Sequence, residues 1–425
     1  MLELPIGYAI NTKKYKKVVV GQKLGEGGQG AVYRVDYGGN PKALKWYTGK
    51  KIKDPGKFYA NLENIIKKGK PTDAFLWPED ITEKDDKAFG YIMDLRPDDY
   101  TDFSRFLIGK EAFASVTAMV NTALHIVDGF RTLHLKGYSY QDLNDGNFFI
   151  NPKNGNVLIC DNDNVSEHGK KSGIAGKARY MAPEIVAKGE DPNIKTDAYS
   201  LAVVLFLLWV RNHPLEGKAG TPVCMDAKSE KRIYGENPVF IWDPKDLSNR
   251  PVQGIHKGAI SQWPQLPVYL QETFIKAFSK EALTDPMRRI IEQEWLRIFI
   301  RMRSEIFKCS CGEVYFADPV NQNACSGCKK KNIFQAYIKT YRYNLPVHNR
   351  TKLYTCHTEK DSDDFKIITG EVLVNENSFE LKNISDNNWT VMDKDNAVSI
   401  APNATFGIKR GLKINFSSAA TAEII

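Results

Sequence analysis

Strand-like alternation opens and closes this chain, and helical periodicity fills its middle. Residues 18–37, VVVGQKLGEGGQGAVYRVDY, read as strand, glycine turn, strand, with Val18–Val20 and Ala31–Tyr33 as the β-prone parts. KALKWYT, residues 42–48, reads as a third strand, and FYANLENIIKK, residues 58–68, has helical spacing. From about Glu111 the pattern turns helical, and Val116, Val120, Leu124, Val127 and Phe130 fall near one face. Two β-prone pieces follow, Asn147–Ile150 and Val157–Cys160. LAVVLFLLWV, residues 201–210, is wholly apolar but far short of the ~20 residues that cross a bilayer, so it reads as a buried core helix. The helical pattern ends with MRRIIEQEWLRIFIRMRSEIF, residues 287–307. A cysteine cluster comes next. From about Gln335 to Ile425, segments such as KIITGEVLV, SFELKNIS and GLKINF predict an all-β domain.

Composition adds bounds. The 425 residues are 42% hydrophobic and 26% charged, ordinary for a globular protein. The net charge of +8 is mild, and the clusters Lys13–Lys17 and Lys329–Lys331 read as solvated surface, so neither nucleic acid nor membrane is expected as a partner. The N-terminus MLELPIGYAI lacks the basic and apolar regions of a secretory signal. Four of the seven cysteines cluster, which suits a metal site in a reducing compartment, and a cytoplasmic protein is expected.

Gly25-Glu26-Gly27-Gly28-Gln29-Gly30-Ala31-Val32 fits G-x-G-x-x-G-x-V, where glycines let backbone amides approach phosphate oxygens. Its flanks are strand and strand, against a dinucleotide fold. Ala43-Leu44-Lys45 then supplies a strand lysine for α- and β-phosphates, and Glu63 is the only acidic residue of the following helical stretch to hold that lysine. Tyr140-Gln141-Asp142-Leu143-Asn144-Asp145-Gly146-Asn147 overlays H-R-D-L-x-x-x-N, with Asp142 as catalytic aspartate and Asn147 as a magnesium ligand. Asp161-Asn162-Asp163 falls where D-F-G belongs; Asp161 is the expected magnesium ligand, and Asp163 a second carboxylate able to join it. Tyr180-Met181-Ala182-Pro183-Glu184, Thr196-Asp197-Ala198-Tyr199-Ser200-Leu201 and Asp285-Pro286-Met287-Arg288-Arg289 complete seven motifs in order.

On these motifs, residues ~15 to 305 resemble a protein kinase. The resemblance implies ATP and Mg²⁺, a protein substrate, and a nucleotide pocket drawing on the glycine loop with Val32, Ala43, Lys45, Met93 and Phe149. It also implies a buried Glu184–Arg289 ion pair and Asp197 bracing the catalytic loop. The segment closing at Glu184 sets it apart from small-molecule kinases. The strings YQDLNDGN and ICDNDNV, followed by a cysteine module, look like a divergent bacterial subgroup. That subgroup is encoded beside a metal-dependent protein phosphatase and a von Willebrand A-domain protein in tellurium-resistance-like loci, which become candidate partners.

Several positions depart from the pattern. Gln141 replaces an arginine that pairs with activation-loop phosphate, so phosphorylation at Ser166 or Ser172 is not expected to be required, unless Lys170, Lys171 or Arg179 supplies the charge. Asn162 and Asp163 replace Phe and Gly. Asn144 replaces the lysine that many serine/threonine kinases place near the γ-phosphate. The alternative to an active enzyme is therefore a pseudokinase scaffold that binds nucleotide and recruits partners through its C-terminal modules.

Cys309-x-Cys311 and Cys325-x-x-Cys328, thirteen residues apart, offer four thiolates suited to structural Zn²⁺. Leu381–Val391 and Gly411–Phe416 resemble the second half of a forkhead-associated sandwich, although that family's Gly-Arg and Ser-x-x-His signatures are not evident. The expected class is α+β: a bilobal kinase domain over 1–305 (lobes about 1–96 and 97–305), a zinc-ribbon-like module over 306–334 and a β-sandwich over 335–425.

Overall fold

The computed structural model describes residues 3–15, 17–27, 30–47, 52, 54–84, 88–169, 176–220, 226–317, 325, 327–330, 336–375 and 378–425. Gly28, Gln29, Lys170, Lys171 and Ser172 lie outside them. The chain forms two units: Met1–Ala114 with His125–Gln293, and Ser115–Leu124 with Glu294–Ile425.

The first unit begins with an antiparallel sheet of β1 (Ala9–Ile10), β2 (Val18–Glu26), β3 (Gly30–Tyr37), β4 (Asn40–Tyr47), β5 (Asp80–Ile81) and β6 (Phe89–Met93), in the order β1-β2-β3-β4-β6-β5. Alternation puts Val18, Val20, Tyr33, Val35, Leu44 and Ile92 into one core. In β4 the run Ala43–Tyr47 is buried throughout, because β3 and β6 flank it. α1 (Pro55–Lys68) starts at Asp54, whose carboxylate accepts from Lys57 N at 3.0 Å, and stops at Gly69 with φ 77°. It buries Phe58, Tyr59, Leu62 and Ile65, with Phe58 against the Tyr47 ring and Tyr59 against Phe89.

Helices dominate the rest of that unit. α2 (Phe103–Leu107) follows β7 (Thr101–Asp102), and α3 (Val116–Leu135) buries Val120, Leu124, Val127 and Phe130 as its periodicity predicts. Short strands frame the loops between helices: β8 (Tyr138–Ser139) pairs with β11 (Ser166–Glu167), and β9 (Phe148–Ile150) pairs with β10 (Val157–Ile159). α4 (Pro183–Lys188) carries Glu184. α5 (Ile194–Val210), capped by Asn193, is buried from Thr196 to Val210, as an all-apolar helix must be. No helix among the described residues is long and apolar enough to cross a membrane.

The expected last helix is shorter than its pattern. Asp285 accepts from Met287 N at 2.9 Å and closes a separate turn, and Arg289 is extended, so the helix runs Glu292–Ser304. It falls in the second unit, where Arg303 donates to Phe365 O at 2.6 Å and Ser304 meets His357 at 2.9 Å. That unit continues with a hairpin of Ile306–Lys308 and Val314–Phe316. It ends in two antiparallel sheets of six and four strands, containing the expected segments Ile368–Asn375, Ser378–Asn383 and Lys413–Asn415. Mixed helix and sheet make the protein α+β.

Candidate active site

The glycine turn joins β2 to β3. Gly25 faces Val32 and Glu26 faces Ala31 across the ladder, and Gly27 N donates to Gly30 O at 2.9 Å. A Cβ on Gly30 would lie 2.0 Å from Trp46 O, so only glycine fits there. At Gly25 and Gly27 nothing stands within 4 Å of an added Cβ, which leaves the backbone approachable. Glu26 is exposed and pairs with Lys23. Val32 sits opposite Lys45, and Ala43 opposite Met93. Phe149 on β9 is half-buried, with the Arg96 guanidinium 4.4 Å above its ring.

Lys45 reaches the Asp161–Asp163 turn. Its ammonium lies 3.1 Å from Asp161 Oδ1, and 3.1 and 2.9 Å from the two Asp163 oxygens. Burial opposes the ammonium, but Asp163 and Asp161 outweigh it and hold its pKa well above the ordinary value. Asp163 is fully buried and also accepts from the Tyr47 hydroxyl. This corrects two expectations. Both Asp163 oxygens are engaged inside the protein, so Asp163 is the lysine's counterion here and not a free metal ligand. Glu63 does not meet Lys45: it sits off the apolar face of α1 and pairs with Lys13 at the surface. Asp161 remains about half exposed, with φ 56°. The polar Asn162 is accommodated because its amide donates to Leu76 O at 2.8 Å and Ile159 O at 2.9 Å.

The catalytic loop is held from below by α5. Asp197 accepts from Tyr140 N at 2.6 Å and Gln141 N at 3.1 Å, the bracing that the resemblance implies. His134 at the end of α3 bridges Asp197 at 3.2 Å and Glu292 at 2.8 Å. Burial alone would lower its pKa; the two carboxylates reverse that and raise it to about 9. Tyr140, standing for the family's histidine, donates to Cys160 O. Asn147 O accepts from Cys160 N at 2.8 Å, which places Asn147 beside Asp161. The donors at Asn147 and Asp161 are all oxygen, which fits a hard cation such as Mg²⁺. Asp142 is partly buried; burial raises its pKa to about 6 against the opposing field of Lys177. Asn144 donates to Asp142 O at 3.0 Å and accepts from the Lys177 ammonium at 2.9 Å.

The closing segment is anchored by ion pairs. Arg289 donates to Glu184 through two nitrogens, at 2.8 and 2.6 Å. Arg179 is taken by Glu216 at 2.5 and 3.0 Å, so it is not a spare cation for an activation-loop phosphate. Gln141 instead donates to Ser139 and to the buried Ser166.

Away from this cleft, Cys309, Cys311, Cys325 and Cys328 place four sulfurs within 4.8 Å of one another. Cys309 and Cys328 are 3.7 Å apart, and Cys311 and Cys325 3.5 Å. A tetrahedral zinc shell with bonds of about 2.3 Å has sulfur–sulfur edges of about 3.8 Å, so the cage fits that ion.

The family model for the protein kinase domain matches residues 18–290. The chain belongs to the protein kinase family. Among curated relatives, it is 23% identical to the ovarian-specific serine/threonine-protein kinase Lok of Drosophila melanogaster, over 52% of this chain and 49% of that one. It is 24% identical to the serine/threonine-protein kinase mos of Xenopus laevis, over 48% and 60%. It is 25% identical to the CBL-interacting protein kinase 4 of Oryza sativa subsp. japonica, over 28% and 27%. The matches thus span between 27% and 60% of these relatives' lengths. Within this kinase-family chain, sequence reasoning missed Tyr47, Lys177 and His134. Tyr47 and His134 lie two residues from Lys45 and one residue after a core leucine, with no motif to mark them. Lys177, three residues before Tyr180, was visible only as a cation near a loop that had lost one.

Proposed function

We propose that this chain is an ATP-dependent protein kinase that transfers the γ-phosphate to protein hydroxyls, serine or threonine. One observation carries the reading: the Lys45 ammonium stands 3.1 Å from Asp161, so the phosphate-holding and metal-holding groups share one point. In this reading Gly25–Gly30 cover the phosphates, and Val32, Ala43, Met93 and Phe149 line the base pocket. Lys45 holds the α- and β-phosphates. Asp142 orients the acceptor hydroxyl and takes its proton. Asp161 and Asn147 would hold Mg²⁺, which when bound neutralises charge on the phosphate oxygens. The serine/threonine assignment draws on the printed names of the Lok and mos relatives. The test is transfer from radiolabelled ATP to dephosphorylated casein by wild type and Asp142→Ala. A loss of about 10²-fold or more in the variant is expected; equal transfer refutes the assignment.

A pseudokinase scaffold is the second reading, and the burial of Lys45 against Asp163 favours it, since phosphates must compete for that ammonium. It requires a melting-temperature rise with ATP and Mg²⁺ and no transfer above Asp142→Ala. The four-cysteine cage would hold structural Zn²⁺. The tail is a β-sandwich of forkhead-associated type with a structural or docking role. A cytoplasmic setting accords with its free thiols. A metal-dependent phosphatase and a von Willebrand A-domain protein are its candidate partners.

A further inference from the structure

The catalytic loop lacks a cation of its own. Asn144, two residues after Asp142, is neutral where many serine/threonine kinases carry a lysine directed at the γ-phosphate. A cation nevertheless stands at this point, and it comes from the segment leading into Tyr180–Glu184. The Lys177 ammonium lies 2.9 Å from Asn144 Oδ1. Asn144 Nδ2 in turn reaches Asp142 O at 3.0 Å and Asp142 Oδ1 at 3.4 Å, so the amide bridges the lysine to the catalytic aspartate. The same segment runs against that aspartate: a Cβ on Gly176 would meet Asp142 Oδ1 and Gln141 O at 3.3 Å each. Lys177 is exposed at the mouth of the site, and one of its three N–H donors satisfies Asn144.

We propose that Lys177 is a catalytic residue: its ammonium contacts the non-bridging oxygens of the transferring γ-phosphoryl group, the task lost from the loop at Asn144. The inference rests on the kinase reading above. In the step, the acceptor hydroxyl oxygen forms a bond to the γ-phosphorus. The bond from that phosphorus to the β,γ-bridging oxygen breaks, and ADP leaves with its electron pair. The hydroxyl proton passes to Asp142. Lys177 stays protonated throughout and balances the charge on the equatorial oxygens, which is where this chemistry needs it. Asn144 is then a positioning residue that holds the ammonium. The placement has a consequence for control. The cation is delivered only while residues 176–184 are docked on the loop, so segment order and chemistry are coupled without a phosphate.

The test uses the full chain and transfer from radiolabelled ATP to dephosphorylated casein. Wild type and Asp142→Ala are run beside Lys177→Ala, Lys177→Arg and the double variant Asn144→Lys, Lys177→Ala. Lys177→Ala is expected to lower kcat about 10²-fold, the usual cost of one lost charge-stabilising donor, with little change in the KM for ATP. Lys177→Arg keeps most of the activity, and Asn144→Lys restores at least about tenfold to the alanine variant by returning the cation to the loop. Wild-type kcat in Lys177→Ala overturns the inference while leaving the kinase reading intact. So does a loss that neither the arginine nor the double variant relieves, because a purely structural lysine would behave that way. A wild type no better than Asp142→Ala defeats the kinase reading, and this inference with it.

Discussion

At the scale of single residues, the decisive feature is the choice of counterion for Lys45. Removing one partner of a buried ion pair strands the other charge in a poor dielectric, which typically costs about 3–5 kcal/mol. Asp163 is the fully buried partner, whereas Glu63 pairs with Lys13 at an exposed site. Asp163→Asn is therefore expected to destabilise the protein by about 3 kcal/mol, and Glu63→Gln by less than about 0.5 kcal/mol. Denaturant unfolding measures both; equal effects would place the lysine's partner on α1 after all. The misreading of Glu63 has a plain cause. It was chosen as the one acid in its stretch, but Phe58, Tyr59, Leu62 and Ile65 define the inner face, and Glu63 projects well away from their mean direction. Asp163 was legible as a carboxylate but not as a buried one, since that depends on Tyr47 and Lys45 arriving from another strand. Asp142 gives a second residue-level expectation. Its carboxylate must be ionised to accept a proton, and burial raises its pKa to about 6. Transfer should rise with pH through about 6 and level off above it. A profile already flat from pH 5 would show that this group does not titrate in the rate-limiting state.

At the scale of elements, the catalytic loop is braced by α3 and α5 and by the pairing of β8 with β11. The motifs located these elements in order because each is a short contiguous string; what they missed are contacts between strings. His134 is the clearest case. Its folded pKa of about 9 lies above the ordinary 6.5, so protonation favours the folded state. The resulting stability is complete below about pH 6.5 and is lost as pH rises through about 9, a span worth roughly 3 kcal/mol. His134→Gln should be less stable at pH 6 and should lose most of that decline between pH 6.5 and 9, which unfolding at a series of pH values measures. An unchanged slope would show that the Asp197–Glu292 bridge does not hold the proton. Control of the activation segment is the other matter at this scale. Ser166 pairs with Ser139 in the β8–β11 ladder, and its hydroxyl meets Gln141 in the interior, so a modifying enzyme reaches it only if that ladder opens. Ser166→Ala is expected to keep transfer within about twofold of wild type, since a neutral hydrogen bond contributes about 1 kcal/mol. Loss of most activity at unchanged stability would restore a regulatory role to that hydroxyl.

At the scale of the whole chain, alternation and periodicity carried the α+β class and the β-rich tail. Where the last helix belongs was not legible, because its apolar pattern runs on without a break from Met287, whereas the turn at Asp285 interrupts the backbone. The cysteine module raises a different question, namely what holds it together. Its two strands, Ile306–Lys308 and Val314–Phe316, contain no fully buried side chain, and among the described residues from 306 to 330 only Ala317 and Cys325 are buried. So small a hairpin has too little apolar burial to offset its own ordering entropy and needs a cross-link of some kind. The sulfurs are 3.5 and 3.7 Å apart within pairs, too far for disulfide bonds of about 2 Å and near the edge length of a zinc shell. Metal affinity then appears as folding free energy. Protein purified without chelator should contain one zinc per chain by elemental analysis, and a strong chelator should raise hydrogen exchange first across residues 306–317. Cys309→Ser with Cys325→Ser, one ligand from each pair, should remove the zinc and reproduce that exchange pattern, with the amides of α5 still protected. A metal-free protein that keeps full protection across the hairpin would show that the four thiols are gathered by packing alone.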